Sequence, residues 1–351
     1  MAAAMPTMPR LLSLSTAVPA IVLNQDDIKA RARAIFARRP EDFERLLPAF
    51  ANAGIEHRHS CVPLDWHEGD HGWAERNRLY IDNAVALLEK AASDCIAKAG
   101  IRIEDIASIV SVSTTGIATP SLDALLTERL GLRRDVQRLP IFGLGCVGGV
   151  VGLARAAALS LCAPNEPVLF TVVELCSLTF RKADQSKSNI IASALFGDGA
   201  AAAILGAGEG PALAAWGEHT WPNSLDVMGW SVEDDGFGVL FSRDIPTLVR
   251  QQMRPAVDGF LAKHRLRLSD IDNFVCHPGG TKVIAALEEA FAIKPGTLDV
   301  ARAVLRDYGN MSAATVFFVL EKMLRSDLGR RSLLSAMGPG FTAGFLTLES
   351  S

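Results

Sequence analysis

The chain has 351 residues, 49% hydrophobic and 21% charged, with a formal net charge of −4 from 35 basic and 39 acidic side chains. Such a composition suits a globular chain with a large core, in one big domain or two closely packed halves, and excludes a disordered one. It also excludes a general nucleic-acid surface or a polybasic membrane anchor, so an anionic substrate needs a local basic patch.

The opening MAAAMPTMPRLLSLSTAVPA holds one early Arg and no long apolar core. It reads as a short tail leading into a strand at RLLSLSTAVP, and only weakly as a signal peptide. Residues 24–54 predict helix broken near Pro40, and residues 72–100 a long amphipathic helix ending at Gly100. IASIVSVSTT predicts a buried strand, and SLDALLTERLGL a helix with Ser121 as its N-cap. Leu139 to Leu161 reads as strand, glycine turn carrying Cys146, and small-residue helix. Two more buried strands follow, EPVLFTVVELCSLTF and GAAAAILGAG. After about residue 210 the same grammar returns: a helix over TLVRQQMRPAVDGFLAKHRL, then a strand and turn at DIDNFVCHPGG. Helices over TKVIAALEEAFAI and SAATVFFVLEKMLRS come next, and a strand pair around a Gly-rich turn in SLLSAMGPGFTAGFLTLE closes the chain.

Strands alternating with helices predict an α/β protein. The halves, 1–210 and 211–351, each place a reactive residue in a turn between a strand and an apolar helix. Such turns face a common cleft at the carboxyl ends of the strands. No uninterrupted apolar stretch is long enough to span a bilayer; the nearest is broken by Pro339 and three glycines. The six cysteines (Cys61, Cys95, Cys146, Cys162, Cys176 and Cys276) contain no C-x-x-C, so neither a metal site nor a disulfide framework is expected. Free thiols fit a reducing cytoplasm.

Three segments carry chemistry. Cys146 stands at a strand-to-helix junction among Gly145, Gly148 and Gly149. A helix N-terminus favours thiolate, and the glycines let an acyl group approach. The segment alone fits a small buried cysteine equally well. His277 ends the apolar strand FVC before Pro278, Gly279 and Gly280, a position suited to chemistry in a cleft or to a hydrogen-bonded core histidine. Asn310 and Ser312, in DYGNMSAATV, are also ordinary residues for a helix start.

Taken together, GCVGG, ALFGDGAAA, HPGG and YGNMSAA, in that order, resemble the type III polyketide synthases, the chalcone-synthase-like branch of the thiolase superfamily. The resemblance runs from about Pro9 to Glu349. It implies a thiolase-like duplicated α/β/α layered fold and a homodimer. It implies Cys146 as the acyl-carrying nucleophile, with His277 and Asn310 completing a triad. An imidazolium at His277 would hold Cys146 as thiolate. Acyl-CoA and malonyl-CoA are the implied substrates, and no metal or prosthetic group is required.

Phe196 matches the family's gatekeeper aromatic. Thr114, Thr115, Glu174, Cys176, Thr179 and Ser312 match pocket positions. Glu174 and Cys176 are expected on one face of a single strand. Thr114, Glu174 and Ser312 match a hydrogen-bond network linked to aldol closure of resorcinol-type rings. The sequence departs from the family elsewhere. Its usual Gly-Phe-Gly-Pro-Gly loop reads Ala336-Met337-Gly338-Pro339-Gly340, and Val239 replaces a second gatekeeper aromatic. Of three basic CoA contacts only Arg45 is kept, so Arg58 and Lys282 are candidates to replace the others. Smaller residues open volume, which with the high apolar content points to a long-chain fatty acyl-CoA starter and an alkylresorcinol or alkylpyrone product. The competing readings are a priming β-ketoacyl synthase of fatty-acid synthesis and a cysteine-dependent acyl-CoA hydrolase.

Overall fold

The computed structural model describes residues 8–36, 40–242, 244–326 and 328–350. In chain order the strands are β1 (Arg10–Ala17), β2 (Ile21–Asn24), β3 (His57–Ser60), β4 (Ser108–Ser113), β5 (Gln137–Phe142), β6 (Val168–Leu175) and β7 (Asp198–Gly206). β8 (Ala212–Thr220), β9 (Met228–Glu233), β10 (Gly236–Phe241), β11 (Asn273–Cys276), β12 (Arg331–Gly338) and β13 (Thr342–Glu349) follow. Nine of them form one sheet in the order β11-β12-β13-β8-β1-β7-β6-β4-β5. β1 and β8 pair at Arg10–Ala212. Every strand on one side of that seam comes from residues 10–206, and every strand on the other from 212–349.

The helix Gly148–Cys162 is clamped between the two half-sheets. A Cβ at its Gly152 would stand 2.5 Å from Val112 of β4, and a Cβ at Gly344 of β13 would stand 2.9 Å from Val147 just before the helix. Backbones this close explain why that stretch is written in Gly, Ala and Val. Outside one half-sheet lies the helix Trp73–Ala99, whose Leu88, Ala91 and Cys95 share a core with Leu169 and Val173 of β6. Outside the other lies the helix Ile245–Lys263, where Phe260 stacks on Phe345 of β13 at 5.3 Å between centroids. The result is five layers: helix, strand, helix, strand, helix. Among the described residues one helical segment, Gly145–Cys162, is long and apolar enough to cross a membrane, and it is mostly buried as this central layer.

Two local expectations change. Ser121 precedes the helix Leu122–Leu130, but its hydroxyl makes no cap bond. β6 stops at Leu175, and Cys176–Thr179 form a 3-10 turn. The cause is the buried carboxylate of Asp198, which accepts from Ser177 N at 2.8 Å and Ser177 Oγ at 2.5 Å and so draws the chain out of the strand. Strand alternation therefore does not reach Cys176.

Candidate active site

Past β5 the chain turns through Gly143 and Gly145, with φ of +91° and +50°. Cys146 lies in the 3-10 turn Gly145–Val147 that enters the helix Gly148–Cys162. A Cβ at Gly145 would stand 2.5 Å from Pro339 Cδ, so the loop after β12 presses directly on the cysteine turn. Thr114 Oγ1 accepts from Gly145 N at 3.0 Å and steadies it from the other side.

A hydrogen-bond chain joins the three segments. Cys146 Sγ donates to Ser312 Oγ at 3.6 Å, and Ser312 N donates to Asn310 Oδ1 at 2.9 Å. Asn310 Nδ2 donates to Gly279 O at 3.3 Å, and Gly279 N to His277 O at 3.1 Å. His277 N donates to Ser335 O at 2.8 Å, fixing the end of β11 against β12. Ser312 adopts φ +46°, a region costly for a residue with a side chain. Thr315 Oγ1 holds it there, donating to Ser312 O while accepting from Met311 N, each at 2.9 Å.

Burial sets the protonation of this site. Desolvation pushes the Cys146 thiol up to about 12; the Ser312 bond opposes this and the charge of Glu174 adds to it. Desolvation pulls the His277 imidazole down to about 4. A lone charge is costly in a dry site, which is why both shifts disfavour the ionised form. Desolvation thus opposes charge on each group taken singly, and an imidazolium–thiolate pair needs the two charges to offset each other. The hydrogen-bond partner of the sulfur is Ser312, and both ring nitrogens of His277 are buried with no protein partner.

Glu174, at the end of β6, is fully buried. Its Oε2 accepts from Thr114 N at 3.0 Å, while Oε1 has no partner. Burial raises its carboxyl to about 7 against the bonds from Thr114 and Thr115. Thr114 thereby links the carboxyl to the cysteine turn, and Thr115 Oγ1 accepts from Leu175 N at 2.9 Å. Cys176 is buried near enough to Glu174 and Cys146 that charge on either raises its thiol. Met337 is buried at the end of β12, with Gly338 and Pro339 against the cysteine turn.

Phe196 ends the helix Lys187–Leu195 and pairs with Asn310 in a short β-bridge. Its ring packs on Phe241 at 5.8 Å and Trp230 at 6.4 Å between centroids. On one side opens a depression of about 1230 Å³ holding Arg45, Lys187, Lys282 and Phe241, with Gly279 at its edge. On the other lies an apolar cavity of about 650 Å³ lined by Phe196, Cys176, Thr179, Val239 and Ile28. Arg45 and Lys282 are brought together at the first mouth. Arg58 is not. It is buried, its guanidinium donates to Phe196 O at 2.7 Å, Ser193 O at 2.9 Å and Gln25 Oε1, and burial lowers its pKa to about 9. Both of its terminal nitrogens serve the protein, and Arg58 is removed from the candidate CoA contacts. Among the described residues no group of three or more His, Cys, Asp or Glu could hold a metal ion.

Sequence reading passed over Phe241, Trp230 and Gln25. Trp230 Nε1 donates to Thr114 O at 3.1 Å, and the hairpin β9–β10 sets Trp230 opposite Val239. Two-residue alternation from Val239 would have found Phe241.

The residues 65–209 match the family model for the N-terminal domain of chalcone and stilbene synthases, and residues 214–350 match that for the C-terminal domain. The chain belongs to the chalcone and stilbene synthase family. A chalcone-synthase-like protein of Bacillus subtilis (strain 168) is 38% identical over 355 aligned positions, covering 96% of this chain and 97% of that one. A 1,3,6,8-tetrahydroxynaphthalene synthase of Streptomyces peucetius subsp. caesius is 38% identical over 347, covering 96% and 92%. The crystal structure of the Streptomyces coelicolor A3(2) tetrahydroxynaphthalene synthase, a bacterial type III polyketide synthase, superposes with TM-score 0.92 at 28% identity, covering 97% of this chain and 99% of that one. The protein is a type III polyketide synthase, an acyltransferase, and its five layers are the thiolase-like fold.

Proposed function

We propose that Cys146 takes a long-chain acyl group from acyl-CoA, and that the enzyme extends it with malonyl units and closes an alkylresorcinol or alkylpyrone. The hydrogen-bond chain from Cys146 through Ser312 and Asn310 to the His277 turn carries the catalytic part of this reading. The neutral His277 ring accepts the thiol proton as sulfur attacks the thioester carbonyl, then returns it to the departing CoA thiolate. Relief of two disfavoured charges by pairing makes this transfer feasible in a dry site. Malonyl-CoA next loses CO2, and the electron pair of the broken bond becomes an enolate whose charge rests on the thioester oxygen. His277 and Asn310 supply N–H donors to that oxygen, and such preorganised donors typically contribute about 3 kcal/mol each. The enolate carbon attacks the acyl carbonyl, expels the Cys146 thiolate, and the cycle repeats. Phe196 and its aromatic neighbours exclude water and crowd the malonyl carboxylate. Arg45 and Lys282 face the CoA phosphates.

The cavity behind Phe196 supports the starter assignment, because its lining is mostly hydrophobic, as a fatty chain requires. Exposed Leu139 and Phe142 on the edge strand β5, with Ile117 beyond β4, support a second copy of the chain as partner. The six free cysteines fit the cytoplasm. The test is to incubate the pure protein with acyl-CoAs from C2 to C18 and labelled malonyl-CoA, and to read products by mass spectrometry. Multiply extended products from C12 and longer starters support the proposal. Use of acetyl- or malonyl-CoA alone overturns the starter. A single condensation points to a priming synthase, and CoA release without carbon–carbon bonds to a hydrolase.

A further inference from the structure

The helix Lys187–Leu195 ends between the two depressions, where its terminal carbonyls have no helical partner. All four carbonyls from Ser193 to Phe196 are nevertheless satisfied. Arg58 donates to Ser193 O at 2.9 Å and Phe196 O at 2.7 Å. Gln25 Nε2 donates to Ala194 O at 3.0 Å, and Asn310 N to Leu195 O at 2.9 Å. Gly197 N returns a bond to Asn310 O at 3.0 Å. Arg58 and Gln25 also bond each other, and both are buried. A buried cation at the negative end of a helix is favourably placed, and its planar fork reaches the two carbonyls with Nη1 and Gln25 with Nη2.

We propose that Arg58 and Gln25 are positioning residues for condensation: they latch the segment carrying Phe196 against Asn310, so that the gate and the enolate donor move as one unit. This rests on the catalytic reading above. Loosening the latch lets Phe196 and Asn310 shift relative to each other. That harms decarboxylation and extension, which need both groups, and spares acyl transfer to Cys146, which needs the thiol and His277. Lysine at 58 keeps the charge but has one nitrogen where arginine uses two, so it cannot hold the carbonyls and Gln25 together. Gln25→Ala removes the second arm without removing a charge.

The experiment compares wild type, Arg58→Lys and Gln25→Ala in two assays on the full chain. One reads acyl-enzyme formed on Cys146 from labelled acyl-CoA, by intact mass over time. The other reads CO2 release from labelled malonyl-CoA and product per turnover. We expect malonyl turnover to fall about tenfold or more in each variant while the rate and stoichiometry of acylation stay within about twofold. Equal losses in both assays would mean general destabilisation and would overturn the latch, as would unchanged malonyl turnover. Should the wild type itself fail to couple malonyl decarboxylation to product, the catalytic reading falls with it; a competent wild type with indifferent variants removes the latch alone.

Discussion

Replacing Glu174 with glutamine tests whether this buried carboxyl is kept for chemistry at a cost to stability. Burial moves the group from its ordinary 4.5 to about 7 in the folded protein. A carboxyl with a raised folded pKa favours folding while protonated. That contribution is whole below about pH 4.5 and disappears as pH rises through about 7. Linkage makes the full loss about 3 kcal/mol, of which about 2.5 kcal/mol accrues between pH 5 and 8.5. Glutamine has nearly the same shape, can still accept from Thr114 N, and cannot ionise. For a chain of 351 residues the unfolding entropy converts about 2.5 kcal/mol to about 3 °C in Tm. Thermal unfolding of both proteins, followed by circular dichroism at pH 5 and 8.5, checks this. The Tm of Glu174→Gln minus that of the wild type should become more positive by about 3 °C on going to pH 8.5. A difference that ignores pH, or that moves toward the wild type at high pH, would refute the claim that burial raises the Glu174 carboxyl.

Four further outcomes are expected. Cys146→Ala should give no acyl-enzyme adduct by intact mass spectrometry and no product above background. Asn310→Ala should lower malonyl decarboxylation by about 10²–10³, read as CO2 release, because one oxyanion donor is lost. Lys282→Ala and Arg45→Ala should raise KM for CoA thioesters and leave kcat nearly unchanged, since both lie at the mouth and not at the reacting atoms. Gly149→Ala would place a Cβ 2.3 Å from Ala313 O, beside Ser312; overpacking of about 1–3 kcal/mol should lower Tm, and activity should fall more than Tm alone accounts for.

Much of the site was legible because its residue types are demanding. A glycine-flanked cysteine, a histidine at a strand end and an asparagine before an apolar helix each admit a bland explanation, and only their joint order excludes it. Most element positions follow from apolar periodicity. The failures share a cause: polar groups distant in sequence. Alternation placed Cys176 on β6, but Asp198 bends the chain after Leu175. Arg58 looked like a spare cation for CoA, yet it caps a buried helix end 135 residues away. Gln25 offered no signal at all, because its role lies in carbonyls supplied by residues 50 and 194.

Chain order and side-chain type determined which atoms can be nucleophile, proton carrier and oxyanion donor, since these are covalent properties of Cys146, His277 and Asn310. Close-packed backbone likewise dictated the glycines and alanines of the central helix. Tertiary structure alone decided that the sulfur bonds Ser312, that burial raises the thiol and lowers the imidazole, and which cations reach solvent. The reason is physical: ionisation depends on the water removed and the dipoles gathered around a group, and those neighbours arrive from every part of the folded chain.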